Sequence, residues 1–92
     1  MIIKYTNDFL RHFKKQKVVI RKSFKIALEE FVKNPNSLQL NNHKLKREWE
    51  GFRSINITAD FRAIYKEVVY SDGESIIYFV AIGMHEQLYK SA

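Results

Sequence analysis

Apolar positions in the first third of the chain recur at helical spacing, and in the second half they alternate or crowd together as in strands. "IIKY" (2–5) opens as a short apolar strand. Thr6 or Asn7 then offers a side-chain oxygen to cap a helix, and Asp8 falls in the first turn, where the helix dipole favours an acid. Phe9, Leu10 and Phe13 form a narrow apolar stripe beside Arg11, Lys14 and Lys15. A second helix follows, with Ile20, Phe24, Ala27, Leu28 and Phe31 on one face. Asn34-Pro35 ends it, because proline disfavours a helical conformation in the residue before it. The short link between the two helices predicts an antiparallel helical hairpin.

Past the polar connection "NPNSLQLNNH" the period changes to two. In "GFRSINI", Arg53, Ile55 and Ile57 alternate with Phe52, Ser54 and Asn56. "FRAIYKEVVY" and "SIIYFVAI" are rich in β-branched and aromatic residues and are joined by "SDGE". Asp-Gly between two such runs predicts a hairpin, since glycine accepts the positive φ of a tight turn. The last run is apolar on both faces, which places it inside the sheet. The expected architecture is α+β: one domain over residues 1–92, with an N-terminal helical hairpin packed on one face of a small, mostly antiparallel sheet.

Composition narrows the function classes. The 92 residues are 46% apolar and 28% charged, the balance of a globular chain. There is no cysteine, which excludes disulfides, thiolate nucleophiles and cysteine zinc sites. The longest apolar run, "IIYFVAIGM", is too short to span a bilayer. "MIIKYTNDF" lacks the basic and apolar regions of a secretory signal, so the expected location is the cytoplasm and no membrane partner is expected.

Charge is unevenly placed. Through Leu28 there are eight basic residues and one acid, a net +7; the remainder has eight basic and nine acidic residues, a net −1, which together give the overall +6. Such a positive segment either solvates exposed helix faces or attracts a polyanion, an acidic protein or an anionic surface.

Three histidines are present. His12 sits among Arg11, Lys14 and Lys15 and reads as a surface residue. His43, Asp60 and His85 each fall at the end of a strand, where side chains can converge on one rim of a sheet. Arg53 and Asn56 point to opposite faces of a regular strand, and a bulge would be needed to bring them together. Two histidines and one acid at these spacings match no metal-ligand motif, and no cofactor is called for.

Over residues 41–90 the chain resembles the RelE/ParE superfamily of bacterial toxins, and within it the YafQ-like mRNA interferases. The resemblance is carried by His43-x-Leu-Lys46, Gly51-aromatic-Arg53, Asp60 with Phe61 and "RAIY", and Gly83-x-His85-x-x-Leu88-Tyr89. The first forty residues match in the order of their elements, a strand and then two helices. The resemblance implies a ribosome-dependent endoribonuclease that cuts mRNA in the decoding site and is restrained by a cognate antitoxin. The site it implies comprises His43, Asn56, Asp60, His85 and Tyr89, with the basic helices on ribosomal RNA (16S) phosphates. Three positions depart from the pattern: Asn56 replaces a histidine, Arg47 a glycine after His-x-Leu-x, and Lys44 a proline after the histidine.

Metal-free RNA cleavage uses the substrate's 2′-hydroxyl as nucleophile, so it needs a base, an acid and cations for the crowded phosphorane. Histidine changes charge near neutral pH and suits either proton role. An amide such as that of Asn56 can position a group but cannot shuttle a proton. Base work therefore falls to Asp60 or His43, the former a modest base unless buried, and acid work to His85. Arg53, Arg62 and Lys46 are candidates for charge stabilisation, and Tyr89 for stacking on a base or donating a hydrogen bond. Two rival readings follow: a ParE-like inhibitor of DNA gyrase without nuclease chemistry, which His43, Asp60 and His85 argue against, and an RNA-binding module whose nuclease set has decayed. Trp49 and Tyr70 read as packing or interface residues.

Overall fold

Strands β1 (Ile2–Tyr5), β2 (His43–Lys44), β3 (Arg53–Asn56), β4 (Phe61–Val69) and β5 (Ser75–Met84) form one sheet in the order β1-β5-β4-β3-β2. Helices α1 (Asn7–Lys14), α2 (Val18–Lys33) and α3 (His85–Leu88) complete the computed structural model, which describes residues 1–89. Only the β1–β5 pair is parallel; the other three pairs are antiparallel, so the sheet is mixed and mostly antiparallel, as the pattern implied. Thr6 caps α1 through a hydrogen bond from the Phe9 amide (3.2 Å), and Asn34 caps the end of α2.

The β4–β5 hairpin closes through Ser71–Gly73. The Gly73 N–H donates to the Tyr70 carbonyl (2.9 Å) and the Tyr70 N–H to the Glu74 carbonyl (2.8 Å). Gly73 has φ +86°, the left-handed conformation that this three-residue connection requires.

β5 carries the register break of the sheet. Ile64 pairs with Ala81 but Tyr65 pairs with Phe79, so Val80 is left over as a bulge. One extra residue inverts the alternation. Phe79 and Ile82, three apart, therefore both enter the same core, with Ile55, Ala63, Tyr65 and Ile77 from the sheet and Phe9, Ile20, Phe24, Ala27 and Phe31 from the helices. This explains why the strand looked apolar on both faces. α1 and α2 meet where the Phe9 and Phe13 rings lie 5.3 and 5.5 Å from that of Phe24.

Three features were not predicted. The polar connection contains a 3₁₀ turn, Leu38–Leu40, which buries Leu40. A second 3₁₀ turn spans Arg47–Trp49. The segment after β5 forms a helix, α3; Lys90, where the family resemblance ends, lies outside the described residues.

Arg47 has φ +59°, a conformation costing an L-residue with a Cβ about 1–2 kcal/mol. The glycine that the family resemblance places here would sit without that strain. Arg47→Gly is expected to stabilise the fold by about 0.5–1 kcal/mol after the extra unfolded-state entropy of glycine is deducted. Thermal unfolding checks this, with a rise of a few °C expected, since about 1 kcal/mol shifts a domain of this size by about 4–8 °C. An unchanged or lower midpoint contradicts it.

Candidate active site

The turn between β3 and β4 and the start of α3 are bound directly to each other. The N–H groups of Ile57 and Thr58 donate to the Phe61 carbonyl, and Thr58 Oγ1 accepts from the Asp60 and Phe61 amides (3.3 and 3.1 Å). The tight loop leaves Asp60 exposed at its tip, and the Asp60 carbonyl accepts the His85 N–H at 2.8 Å. Asp60, Arg62 and His85 consequently line one open cleft of about 200 Å³, with Ala59, Met84 and Glu86. Arg62 is fixed by its Nη1, which donates to the carbonyls of Thr58, Ala59 and Phe61 at 2.9–3.1 Å. Its Nη2 and Nε make no such bond among the described residues, which keeps guanidinium N–H groups available to an anion.

Tyr89 stands against His85, ring centroids 4.6 Å apart and nearly edge-on. Its hydroxyl donates to Ser54 Oγ at 2.6 Å, and Ser54 is fully buried within the sheet. Tyr89 is thus positioned from below, and its hydroxyl is already engaged. The expectation that it donates a hydrogen bond to a ligand fits this geometry less well than stacking does.

His43 reaches the same face through the sheet. It pairs with Ser54 across β2–β3, and residues directly opposite in an antiparallel pair project to one side. Its Nδ1 lies 2.8 Å from the Asn41 carbonyl oxygen. A carbonyl can only accept, so Nδ1 carries the hydrogen and the neutral ring keeps its lone pair on Nε2. Asn41 presents that carbonyl from a left-handed conformation (φ +44°), which asparagine tolerates.

Other expected site residues are placed elsewhere. The β3–β4 register runs without a break from Arg53↔Tyr65 to Asn56↔Arg62, so the bulge that would unite Arg53 with Asn56 is not there; the break lies on β5 instead. Arg53 Nε donates to Asn42 Oδ1 (2.9 Å), within a group in which Asn42 also bonds the Tyr65 hydroxyl. Burial pushes the Tyr65 hydroxyl above its ordinary pKa, an effect opposed by Asn42 and Arg53. Arg53 therefore belongs to a structural cluster on the helix side. Asn56 lines a separate cavity of about 170 Å³ with Ser23, Ala27 and Leu40, and its Oδ1 is buried without a partner among the described residues. Lys46 is exposed at the start of the Arg47–Trp49 turn.

Two further residues hold the site: Ser54, and Trp49, which the sequence marks as a packing or interface residue. Ser54 appeared only as the alternating partner of Arg53, although a serine on the face of a strand otherwise rich in apolar neighbours is a signal of a buried hydrogen bond. Trp49 Nε1 donates to the Leu88 carbonyl at 2.9 Å, which ties the 3₁₀ turn to α3. That bond joins segments 39 residues apart, so no local pattern announces it.

A model of the family described as "Bacterial toxin of type II toxin-antitoxin system, YafQ" matches residues 1–90. Among solved structures, a YoeB/ParE toxin from Agrobacterium tumefaciens is 15% identical with a TM-score of 0.74, over 92% of this chain and 99% of that one. YafQ from Escherichia coli BL21(DE3) is 22% identical with a TM-score of 0.69, over 95% and 96%. The E. coli DinJ-YafQ complex contains a chain 24% identical, with a TM-score of 0.66 over 95% and 96%. No curated relative matches significantly. At these identities the solved structures establish the shared fold, and the match along nearly the whole chain establishes descent: this protein belongs to the YafQ family of bacterial toxins of type II toxin–antitoxin systems.

Proposed function

We propose that the protein is an mRNA interferase, a ribosome-dependent endoribonuclease that needs no metal. The observation carrying this reading is the cleft that unites His85, Asp60 and Arg62, beside Tyr89 and on the sheet face shared by His43. In this reading the oriented Nε2 lone pair of His43 takes the proton from the ribose 2′-hydroxyl, and Asp60 accepts a hydrogen bond from the ribose. The 2′-oxygen forms its bond to phosphorus as the bond to the 5′-oxygen breaks. His85 protonates the leaving 5′-oxygen, and Arg62 stabilises the phosphorane. The products are a 2′,3′-cyclic phosphate and a 5′-hydroxyl. Tyr89 stacks on a base next to the reacting phosphate.

In this reading the ribosome supplies the alignment that the open cleft does not. Asp60, His43 and His85 are all exposed, so no enclosed pocket aligns the RNA, and alignment is a large share of the barrier. The helical basic residues supply a docking surface for ribosomal RNA. Among the described residues the only ion pair is Asp8 with Arg11, which leaves the remaining helical cations free of carboxylates.

An antitoxin is the other partner in this reading. The DinJ-YafQ structure is, by its name, such an assembly. Val19 and Ile26 on α2 and the nearly fully exposed Leu38 offer apolar surface to an amphipathic segment, and a net charge of +6 favours an acidic one.

The test is cleavage of one message, free and on programmed ribosomes, with chelator present. Rapid cutting of the ribosome-bound message alone, with cyclic-phosphate ends, is expected. Equal rates on both contradict the ribosome dependence. Growth arrest with no cut product would favour the ParE-like or the RNA-binding reading.

A further inference from the structure

β1 ends at Tyr5 opposite Phe79, whereas β5 continues to Met84, so the last stretch of β5 has no strand on that side. The end of α1 lies there, and a cavity of about 250 Å³ opens between it and α3. His12, Lys15, Gln16, Gly83, Gln87 and Leu88 line it, and among the described residues no carboxylate does. Gln87 Oε1 accepts the Met84 N–H at 3.4 Å, which leaves the NH₂ of that amide as a donor. The polar lining therefore includes the Lys15 ammonium together with amide and imidazole N–H donors, a set suited to an anion. Gly83 and Leu88 add an apolar floor, with the Leu88 side chain only 3.4 Å from where a Cβ on Gly83 would stand.

The position of this cavity relates it to the candidate active site. α3 is the wall between them: His85 and Glu86 line one side, Gln87 and Leu88 the other. The two grooves lie on opposite sides of this single-turn helix, whose diameter with side chains is about 10–12 Å. A chain passing His85 and rounding α3 would bring a nucleotide flanking the reacting phosphate to the mouth of the second cavity. Its volume admits about one nucleotide and no folded partner element.

We propose that the cavity between the end of α1 and α3 is a nucleotide subsite, holding the residue of the RNA adjacent to the scissile phosphate. Lys15 and His12 take its phosphate, Gln16 and Gln87 contact the base edge, and Leu88 supports the base. His12, which reads as an ordinary surface residue in the sequence, is then a binding residue. The inference rests on the nuclease reading for its substrate, but its binding test does not require cleavage.

The test uses the full chain carrying His85→Ala, titrated with a trinucleotide RNA and followed by NMR. Saturable shifts of the His12 ring and of the Lys15 and Gln87 amides are expected. Adding Lys15→Ala should weaken binding about tenfold and lower the salt slope by about one, as for a lost phosphate contact. All these side chains except the half-buried Gln16 and Leu88 are exposed, so the Lys15 variant should remain folded, and the same spectra verify that. RNA binding that leaves the His12 and Gln87 signals unmoved overturns the subsite, as does a Lys15→Ala variant with unaltered affinity. Saturation by an acidic peptide but not by RNA overturns it too. On ribosomes, with His85 intact, Lys15→Ala should raise KM several-fold more than it lowers kcat. Saturable binding at His12 together with no cleavage on ribosomes by the protein with His85 intact would refute the nuclease reading and leave the RNA-binding role of this cavity standing.

Discussion

Replacing His85 by alanine is expected to lower the rate of message cleavage by about 10²–10⁴-fold, the usual worth of one positioned proton donor. The side chain is exposed and its one aromatic contact is with Tyr89, so the fold should lose about 1 kcal/mol at most. The measurement is a map of mRNA 5′ ends in growing cells after induction of the protein or of its His85→Ala variant. New ends inside translated messages should accompany the unaltered protein and vanish with the variant, along with the growth arrest. Ends that persist at full abundance would remove His85 from the chemistry. Arrest without new ends would instead point away from a nuclease and toward a target such as gyrase.

Phe79→Ala should produce the largest loss of stability. Phe79 is fully buried, and its ring lies 5.3–6.0 Å from those of Tyr5, Phe9, Phe24, Phe31 and Tyr65. It therefore joins β1, α1, α2, β4 and β5 at one point. Truncating such a side chain costs about 3–5 kcal/mol, through lost transfer energy and an unfilled cavity. A domain of this size has roughly 5–14 kcal/mol in total at about 0.05–0.15 kcal/mol per residue, so a large part of its margin would go. Chemical denaturation should show the midpoint falling by more than a third with little change in slope. A loss below about 1.5 kcal/mol would mean that the aromatic cluster re-closes around the gap.

The contrast between these substitutions follows the architecture. The core is centred on the bulged half of β5 and faces the helices, while the proposed chemistry sits on the rim at the C-terminal end of the same strand. A bulge of one residue at Val80 allows both, because it returns Ile82 to the core. Gly83, buried beside Leu88, leads the chain toward α3, and a Cβ there would stand at ordinary van der Waals distance from the Leu88 side chain, 3.4 Å.

The elements themselves were legible because their causes are local. The apolar face of α2, the Thr6 cap, the stop at Asn34-Pro35 and the Asp-Gly hairpin all depend on neighbours within a few residues, and each appears where the pattern placed it. So did the convergence of Asp60 and His85, since strand ends in a small antiparallel sheet have few places to go. Long-range registration was the part that sequence could not supply. Whether Arg53 joins the site depends on where the sheet breaks register, and a bulge on β5 rather than β3 sends its guanidinium to Asn42. The sequence leaves Tyr89 either to stack on a base or to donate a hydrogen bond, and the Ser54 hydroxyl, 35 residues away, already takes its hydrogen. His12 looked like one more solvated side chain, because only the tertiary fold sets the end of α1 and α3 on two sides of a cavity that it lines. By itself the sequence determined the fold class, the charge of the helices and the residue types available for proton transfer, since these follow from spacing and chemistry. The tertiary structure alone decided which of those residues share a cleft, because side-chain contact across strands depends on register, and one bulged residue resets it.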